Sequence, residues 1–250
     1  MIADILVGPL SHLINLCFAK GKFPNIYKKA TVIPIYKSGD KEDPSNYRPI
    51  PLTTTFAKIF EKILIKRMIS FIDEHNIIHK NQFGFRKNVP TEDALGEFTK
   101  KIYNNIDKKI PTITVFVDLA KAFDTLDHNI LLTKLDRYGF RGVAYNLLKS
   151  YLENREQTVK INNEESDSLF LSYGIPQGTV VGPLLFILYI NDLFSTINNC
   201  NIYAYADDTA IIFEEKSWND VTNTVKKKMP VIQEWFSNNS LTINLQKTNL

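Results

Sequence analysis

The stretch Asn201-Ile-Tyr-Ala-Tyr-Ala-Asp-Asp-Thr-Ala-Ile-Ile-Phe213 places two adjacent carboxylates, Asp207 and Asp208, inside a run of β-forming apolar residues. Tyr, Ile and Phe suit the strands of a sheet, and Asp tolerates the backbone of a tight turn. The pattern predicts a strand, a turn and a second strand, with both charges at the tip. These residues alone leave two interpretations: a solvated turn, or a turn whose charges a divalent cation neutralises.

A third carboxylate, Asp118, follows the alternating sequence Ile113-Thr-Val-Phe-Val117. Alternation with a period of two predicts a strand that ends at or just past Asp118. Facing the Asp-Asp turn, Asp118 would complete a two-metal site for Mg²⁺, with Mn²⁺ as an alternative, in which substrate phosphates supply further oxygen ligands. Such a site indicates nucleotidyl transfer, because one ion activates an attacking 3′-hydroxyl and the other stabilises the leaving pyrophosphate.

Length and composition predict a globular chain of one large domain or two tightly joined subdomains. The 250 residues are 44% hydrophobic and contain two cysteines far apart in sequence, so we expect no disulfide framework. The first stretch, residues 2–18, predicts an amphipathic helix. No apolar run approaches 18 residues, so we expect no membrane association.

Charge is distributed unevenly along the chain. Residues 1–110 contain 18 Lys and Arg against 11 Asp and Glu, whereas residues 111–250 contain 12 against 16. A basic first half beside an acidic second half suits a protein that holds nucleic-acid phosphates with one part and metal ions with the other. Ordinary surface variation is the alternative.

Hydrophobic periodicity predicts the main elements around these carboxylates. Residues 30–36 read as a strand, residues 91–106 as a helix that covers the sheet, and residues 158–161 and 169–172 as a hairpin around polar residues 162–165.

Three segments, in the order 116–124, 174–186 and 205–208, resemble motifs A, B and C of reverse transcriptases. The amino-acid sequences of these segments are most similar to those of the non-long-terminal-repeat (non-LTR; LINE-like, jockey-like) retrotransposon enzymes. The resemblance covers nearly the whole chain because further motifs extend it, at residues 47–52, 58–62, 81–86 and 241–248.

The resemblance implies an α+β fold made of reverse-transcriptase fingers and palm, with an antiparallel palm sheet backed by helices and the thumb absent. It assigns residues 1–110 to a fingers-like region with an N-terminal helix. Residues 111–250 become a palm-like region that carries motifs A to D. The thumb and endonuclease regions are then expected in a longer element.

The same resemblance implies the catalytic residues. Asp118 and Asp207 become the principal Mg²⁺ ligands, and Asp208 an auxiliary ligand. Lys247, in motif D, is expected to protonate the leaving pyrophosphate as a general acid.

Nucleotide-binding residues are implied in the fingers and in motif B. Arg48 and Lys58 are expected to contact the triphosphate, with a structural role and a solvated helix face as the respective alternatives. Gln177 and Gly178 are expected to lie beside the templating base and the nucleotide. Apart from its neighbouring motifs, this segment reads only as a glycine loop.

Phe123 lies where the family places an aromatic ring under the nucleotide sugar, so it is expected to exclude a 2′-hydroxyl and select deoxynucleotides. Plain core packing is the alternative. Phe83 and Arg86 are expected to contact the template, and core packing is an equal alternative for Phe83.

The implied function is RNA-directed DNA polymerisation in retrotransposition. The expected partners are an RNA template, a DNA primer or target, and deoxynucleoside triphosphates, in the nucleus and cytoplasm. Two alternatives remain at this point: a truncated, inactive remnant that only binds nucleic acid, and a group II intron or retron-type reverse transcriptase.

Overall fold

The computed structural model of the protein describes residues 2–86, 89–175, 178–197 and 200–248. No helix in these ranges has the length and hydrophobicity needed to cross a lipid bilayer. The helices are α1 (Ile2–Lys20), α2 (Thr55–Glu74), α3 (Thr91–Asp107), α4 (His128–Arg137), α5 (Val143–Leu152), α6 (Gly182–Ile190), α7 (Leu193–Thr196) and α8 (Trp218–Asn238). The strands are β1 (Lys29–Tyr36), β2 (Tyr47–Leu52), β3 (Thr112–Val117), β4 (Leu119–Ala120), β5 (Arg155–Ile161), β6 (Glu164–Glu165), β7 (Leu169–Leu171), β8 (Asn201–Tyr205), β9 (Asp208–Glu214) and β10 (Thr242–Ile243).

Two compact units divide the chain, and each unit takes two separate segments. The first unit consists of Met1–Phe71 and Asp127–Gly182, and the second of Ile72–Leu126 and Pro183–Leu250. The predicted division between residues 110 and 111 falls inside the second unit, between α3 and β3. The fingers and palm regions are assigned from sequence motifs, whereas the two units are defined by their internal contacts. The motif-based assignment therefore stays a prediction.

The first unit is built on a sheet in which β1 lies between β2 and β5, while β6 and β7 both pair with β5. β1 runs antiparallel to β2 and parallel to β5. The predicted strand at residues 30–36 is confirmed by β1. The two predicted strands of the hairpin lie in β5 and β7, which pair antiparallel, but the prediction that residues 158–161 pair with residues 169–172 is wrong. β7 pairs with Arg155–Gln157. Residues 164–165, expected in the loop of the hairpin, instead form β6, because Asn162 adopts a φ of 55° that closes a two-residue turn.

Aromatic rings form the core of the first unit. The Phe23 ring is 2% exposed and lies edge-on to Phe60 at 4.9 Å and to Tyr151 at 5.0 Å between centroids. Phe60, Leu64 and Met68 recur at helical spacing along α2 and are all buried. This apolar stripe explains why α2 packs as a long amphipathic helix.

The second unit is built on the antiparallel sheet β3-β9-β8. Buried Val115 and Val117 alternate with half-exposed Phe116, as the period of two requires. α3 lies on the Phe116 face, since the Phe98 ring is 5.7 Å from Phe116 and 6.1 Å from Tyr203. This packing confirms the prediction that the helix at residues 91–106 covers the sheet.

α6, α7, α8 and a small second sheet also belong to this unit. Residues 185–190 of α6 are at most 1% exposed. A helix that is apolar on every face must be buried on every face, so α6 is the central helix of this core. The short strands β4 and β10 pair antiparallel, with Leu119 opposite Ile243.

Candidate active site

The β8–β9 hairpin carries the two adjacent carboxylates at its tip. Tyr205 pairs with Asp208, which leaves Ala206 and Asp207 as a two-residue turn. Ala206 has a φ of 59°, the left-handed backbone that two-residue hairpin turns favour. The predicted strand, turn and strand are therefore confirmed.

Asp118 lies at the same end of this sheet. Val117, the last residue of β3, pairs with Thr209 of β9, and Asp118 and Asp208 are the next residues beyond that pair. The pKa of Asp208 is raised, first by burial and then by the negative charges of Asp207 and Asp118. The structure thus brings together the three carboxylates that the sequence singles out.

These carboxylates fit a divalent cation by the chemistry of their donors. Oxygen ligands suit Mg²⁺, and a cation would relieve the repulsion from Asp207 and Asp118 that adds to burial in raising the pKa of Asp208. Within the described ranges, no group of three or more His, Cys, Asp or Glu is arranged so that it could hold an ion by itself. Mg²⁺ commonly takes only one or two protein carboxylates and completes its shell with water and substrate phosphates.

Lys247 is brought to the same place by the pairing of β4 with β10. Beyond this pair, the Asn244 amide donates to the Asp118 carbonyl at 2.9 Å, and the Asp118 amide donates to the Thr248 hydroxyl at 3.5 Å. Lys247, Asp118 and Asp208 then line one groove of about 390 Å³. Its remaining walls are largely apolar and aromatic, and they include Phe98, Phe116, Tyr203 and Tyr205.

Phe123 lies in the turn that follows β4. Its ring stacks on Phe186 of α6, with 4.5 Å between centroids and 28° between planes. Phe186 is fully buried, whereas Phe123 is only partly buried. One face of the Phe123 ring is therefore fixed by the core, and both interpretations of this residue stay open.

Residues 81–84 lie along the free edge of β8, a feature that the sequence reasoning missed. The Phe83 amide donates to the Ala204 carbonyl at 2.8 Å, and the Ala204 amide donates to the Asn81 carbonyl at 3.0 Å. Phe83 is 7% exposed, which favours core packing for its ring. Arg86 is partly buried and donates to the Gln82 carbonyl at 3.3 Å, so its template contact stays a prediction.

The nucleotide-binding candidates lie in the first unit. Arg48 on β2 and Lys58 on α2 are both exposed. Gly178 has a φ of 78°, and a Cβ atom there would lie 3.6 Å from the carbonyl oxygen of Pro51, which puts Gly178 against β2. Gly178 opens the described part of the motif B loop, residues 178–181. Gln177 lies outside the described residues.

Glu61 holds the motif B loop and was not singled out from the sequence. Its carboxylate accepts hydrogen bonds from the Val180 amide at 2.7 Å and from the Tyr151 hydroxyl at 2.9 Å. Burial raises the pKa of Glu61, although these two hydrogen bonds and the positive charges of Arg155 and Lys58 oppose the shift. The only sequence signal is an acidic residue within the apolar stripe of α2.

Comparison with known proteins agrees with these motifs. The family model described as "Reverse transcriptase (RNA-dependent DNA polymerase)" matches residues 35–250. The "Probable RNA-directed DNA polymerase from transposon BS" of Drosophila melanogaster is 32% identical over 96% of this chain and 27% of that protein. The "RNA-directed DNA polymerase from mobile element jockey" of the same species is 30% identical over 99% of this chain and 28% of that protein. The chain thus spans little more than a quarter of these relatives.

Among solved structures, apo telomerase from Candida tropicalis, truncated from its C-terminal domain, aligns with a TM-score of 0.66 at 16% identity. The alignment covers 89% of this chain and 50% of the telomerase chain. At this identity the likeness concerns the fold alone, and it agrees with the predicted α+β fold. The relatives named above are transposon proteins, which favours the retrotransposon interpretation over the group II intron or retron alternative. The chain therefore belongs to the reverse transcriptase family, in its non-LTR retrotransposon branch.

Proposed function

We propose that this chain carries the catalytic site of an RNA-directed DNA polymerase, which extends a DNA primer with deoxynucleotides copied from an RNA template during retrotransposition. One observation carries the proposal: β3 and the β8–β9 hairpin deliver three carboxylates to one end of a sheet, in a chain of the reverse transcriptase family. The partners are the RNA template, the DNA primer or target, and deoxynucleoside triphosphates. The proposed locations of the protein are the cytoplasm, where it is synthesised, and the nucleus, where it reaches chromosomal DNA.

Asp118 and Asp207 are the proposed principal ligands of Mg²⁺, or of Mn²⁺ in its place, with Asp208 as an auxiliary ligand. Bound there, the ions would lower the pKa of the primer 3′-hydroxyl and stabilise the pyrophosphate leaving group. The strand pairing that puts Asp118 and Asp208 at the same end of the sheet supports this assignment, and the charges of Asp207 and Asp118 act, after burial, to raise the pKa of Asp208.

Lys247 is the proposed general acid for the leaving pyrophosphate. Two observations support it: its segment is hydrogen-bonded to the backbone of Asp118, and its side chain lines the same groove as Asp118 and Asp208. An ammonium group beside developing phosphate charge can stabilise it and transfer a proton.

Substrate selection is assigned to further residues, which belong to both units. Phe123, held against Phe186, would meet a 2′-hydroxyl on the nucleotide sugar. Arg48 and Lys58 supply exposed cationic groups for the triphosphate, and Gln177 and Gly178 are assigned to the templating base and the nucleotide. The template contact is assigned to Arg86, with Phe83 as the buried support of its segment.

The decisive experiment is primer extension on an RNA template with Mg²⁺, comparing deoxynucleotides with ribonucleotides. We expect DNA synthesis only, and we expect Asp207→Asn to reduce it by more than about 100-fold, because a neutral amide is a poor Mg²⁺ ligand. Asp167→Asn, which removes an exposed carboxylate in the first unit, is the matched control and should leave synthesis unchanged.

Full activity of Asp207→Asn would refute the site assignment. A folded wild-type chain that binds RNA but makes no DNA would instead support the alternative, a remnant that binds nucleic acid without polymerising.

A further inference from the structure

The turn that carries Asp207 is hydrogen-bonded to a side chain 124 residues earlier in the sequence. The Oε1 atom of Gln82 accepts the Gly84 amide at 2.9 Å and the Ala206 amide at 3.2 Å. Gln82 is fully buried, and Ala206 is 4% exposed. One buried amide oxygen therefore joins the segment beside β8 to the first residue of the catalytic turn.

Ala206 needs such support because of its backbone. A φ of 59° is unfavourable for a residue with a Cβ atom, and such conformations persist only when their surroundings hold them. Gly84 packs closely against the same peptide group, and a Cβ atom at residue 84 would lie only 2.3 Å from the Ala206 nitrogen. The turn is thus contacted by a hydrogen-bond acceptor and by a close-packed glycine.

The supporting segment is itself fixed to the second unit. Residues 81–83 pair with the edge of β8, and the Asn81 side chain donates to the Ile202 carbonyl at 2.9 Å. Just before them, the His79 amide donates to the side chain of buried Asn191 at 2.8 Å, and the His79 ring stacks on Phe194 at 4.7 Å. Gln82 therefore projects from a backbone that is anchored on both sides.

The nitrogen of the Gln82 side-chain amide contributes no hydrogen bond to the stability of the fold within the described part of the chain. This Nε2 atom is buried and has no hydrogen-bond partner among the described residues. A buried donor without an acceptor costs free energy, which an apolar side chain of the same shape would avoid. The two hydrogen bonds that Oε1 accepts are the contribution that an apolar side chain could not make.

We propose that Gln82 is a positioning residue, which sets the orientation of Asp207 and Asp208 by holding the Ala206 amide, with Gly84 as the packing surface behind it. This inference rests on the proposed function, because it assigns Gln82 to the same site. Gln82 touches neither the substrate nor the ions in this role. It acts through the backbone of the turn.

The test compares Gln82→Met, which keeps the size of the side chain and removes the acceptor, with Asn105→Leu. Asn105 is an equally buried amide in the same unit, and it donates to Thr112 and Glu214, at the end of β9 opposite the turn. Gly84→Ala is the second variant, because it displaces the same turn by steric contact. Each is measured for primer extension, for Mn²⁺ affinity by electron paramagnetic resonance, and for amide hydrogen exchange at Ala206.

We expect Gln82→Met and Gly84→Ala to lower kcat by at least about 10-fold with little change in the nucleotide KM, because small misplacement of catalytic groups affects the chemical step. Exchange at Ala206 should be at least about 10-fold faster, and Mn²⁺ binding several-fold weaker. Asn105→Leu should lower Tm without these changes.

Unchanged exchange at Ala206 and unchanged Mn²⁺ affinity in folded Gln82→Met would overturn the inference. A wild-type chain without polymerase activity would contradict the proposed function alone, since the exchange and Mn²⁺ measurements need no turnover.

Discussion

At the scale of a single residue, Phe123 shows how one side chain meets two requirements. Its ring is fixed from one side by fully buried Phe186 and is still partly exposed. A partly exposed ring that is held on one face can act as a rigid steric barrier, because the core prevents it from rotating away. Core packing and sugar selection are therefore compatible, and only a substitution separates them.

We expect Phe123→Val to raise ribonucleotide incorporation relative to deoxynucleotide incorporation by about 10- to 100-fold, because the shorter side chain leaves room for a 2′-hydroxyl. The stability should fall by about 1–3 kcal/mol, since a partly buried ring is truncated. The measurement is the ratio of kcat/KM values for the two nucleotide types on one RNA template.

Phe140→Val provides the control. Phe140 is buried, and its ring centroid lies 4.9 Å from that of Phe71 in the first unit, so its truncation removes a comparable aromatic contact from the unit that does not contain the three carboxylates. It should lower Tm and leave sugar selection unchanged. Equal selection in Phe123→Val and wild type, with a lowered Tm, would assign Phe123 to packing only.

At the scale of an element, α2 connects the core of the first unit to the motif B loop. Glu61 lies one residue after core residue Phe60, and its two oxygens accept from Tyr151 of α5 and from Val180 of the loop. A fully buried carboxylate in a helix is expensive unless it is hydrogen-bonded. This interaction therefore fixes Val180 and its segment to the core of the first unit.

The raised pKa of Glu61 predicts a pH dependence of stability. Because the folded state binds this proton more tightly than the unfolded state, Glu61 reduces the free energy of unfolding as pH rises from about its ordinary value of 4.5 through its folded pKa. The slope from one such group is at most about 1.4 kcal/mol per pH unit. Urea unfolding at a series of pH values measures it.

Glu61→Gln should remove this part of the pH dependence, because glutamine does not titrate. It should also weaken the loop contact, because its NH₂ group cannot accept a hydrogen bond. Glu164→Gln, which changes an exposed carboxylate in the same unit, should keep the wild-type profile. Identical pH profiles for wild type and Glu61→Gln would show that burial does not raise the pKa of Glu61.

At the scale of the whole molecule, the chain path decides which segments fold together. The sheet of the first unit needs β1 and β2 from residues 1–110 and β5 from residues 111–250. The sheet of the second unit needs β3, β8 and β9, while α3 and the segment at residues 81–84 come from before residue 110. Neither motif-defined region contains a complete core.

We therefore expect fragments 1–110 and 111–250, expressed separately, to show no cooperative unfolding, because each would expose the edge and the apolar face of an unfinished sheet. Mixed in equal amounts, they should recover cooperative unfolding. Circular dichroism during urea titration measures both states.

The intact chain, cleaved between residues 110 and 111 at an inserted protease site, is the matched control. Independent cooperative folding of either fragment would contradict this view and would support fingers and palm as separate folding units.

The amino-acid sequence by itself determined the local elements and the identity of the candidate catalytic residues. Alternation around Val115 and Val117 predicts β3, and the Asp-Asp pair within a β-forming run predicts the hairpin. These patterns predict the two strand ends, whereas the antiparallel pairing of β3 with β9, which brings Asp118 beside Asp208, joins segments far apart in sequence and depends on the tertiary structure. The order of the motifs indicates the family, because residue types and their order along the chain are read directly from the sequence.

Only the tertiary structure decided which polar side chains are buried and hold distant backbone segments by hydrogen bonds. Gln82 and Glu61 bind groups 124 and 119 residues away, and the parallel pairing of β1 with β5 joins segments that are similarly far apart in sequence. Periodicity reports which face of an element is apolar, but it does not report the partner that the face meets. The sequence therefore does not distinguish a buried glutamine or glutamate from a solvated one. Only the fold shows which backbone amide donates a hydrogen bond to its side chain.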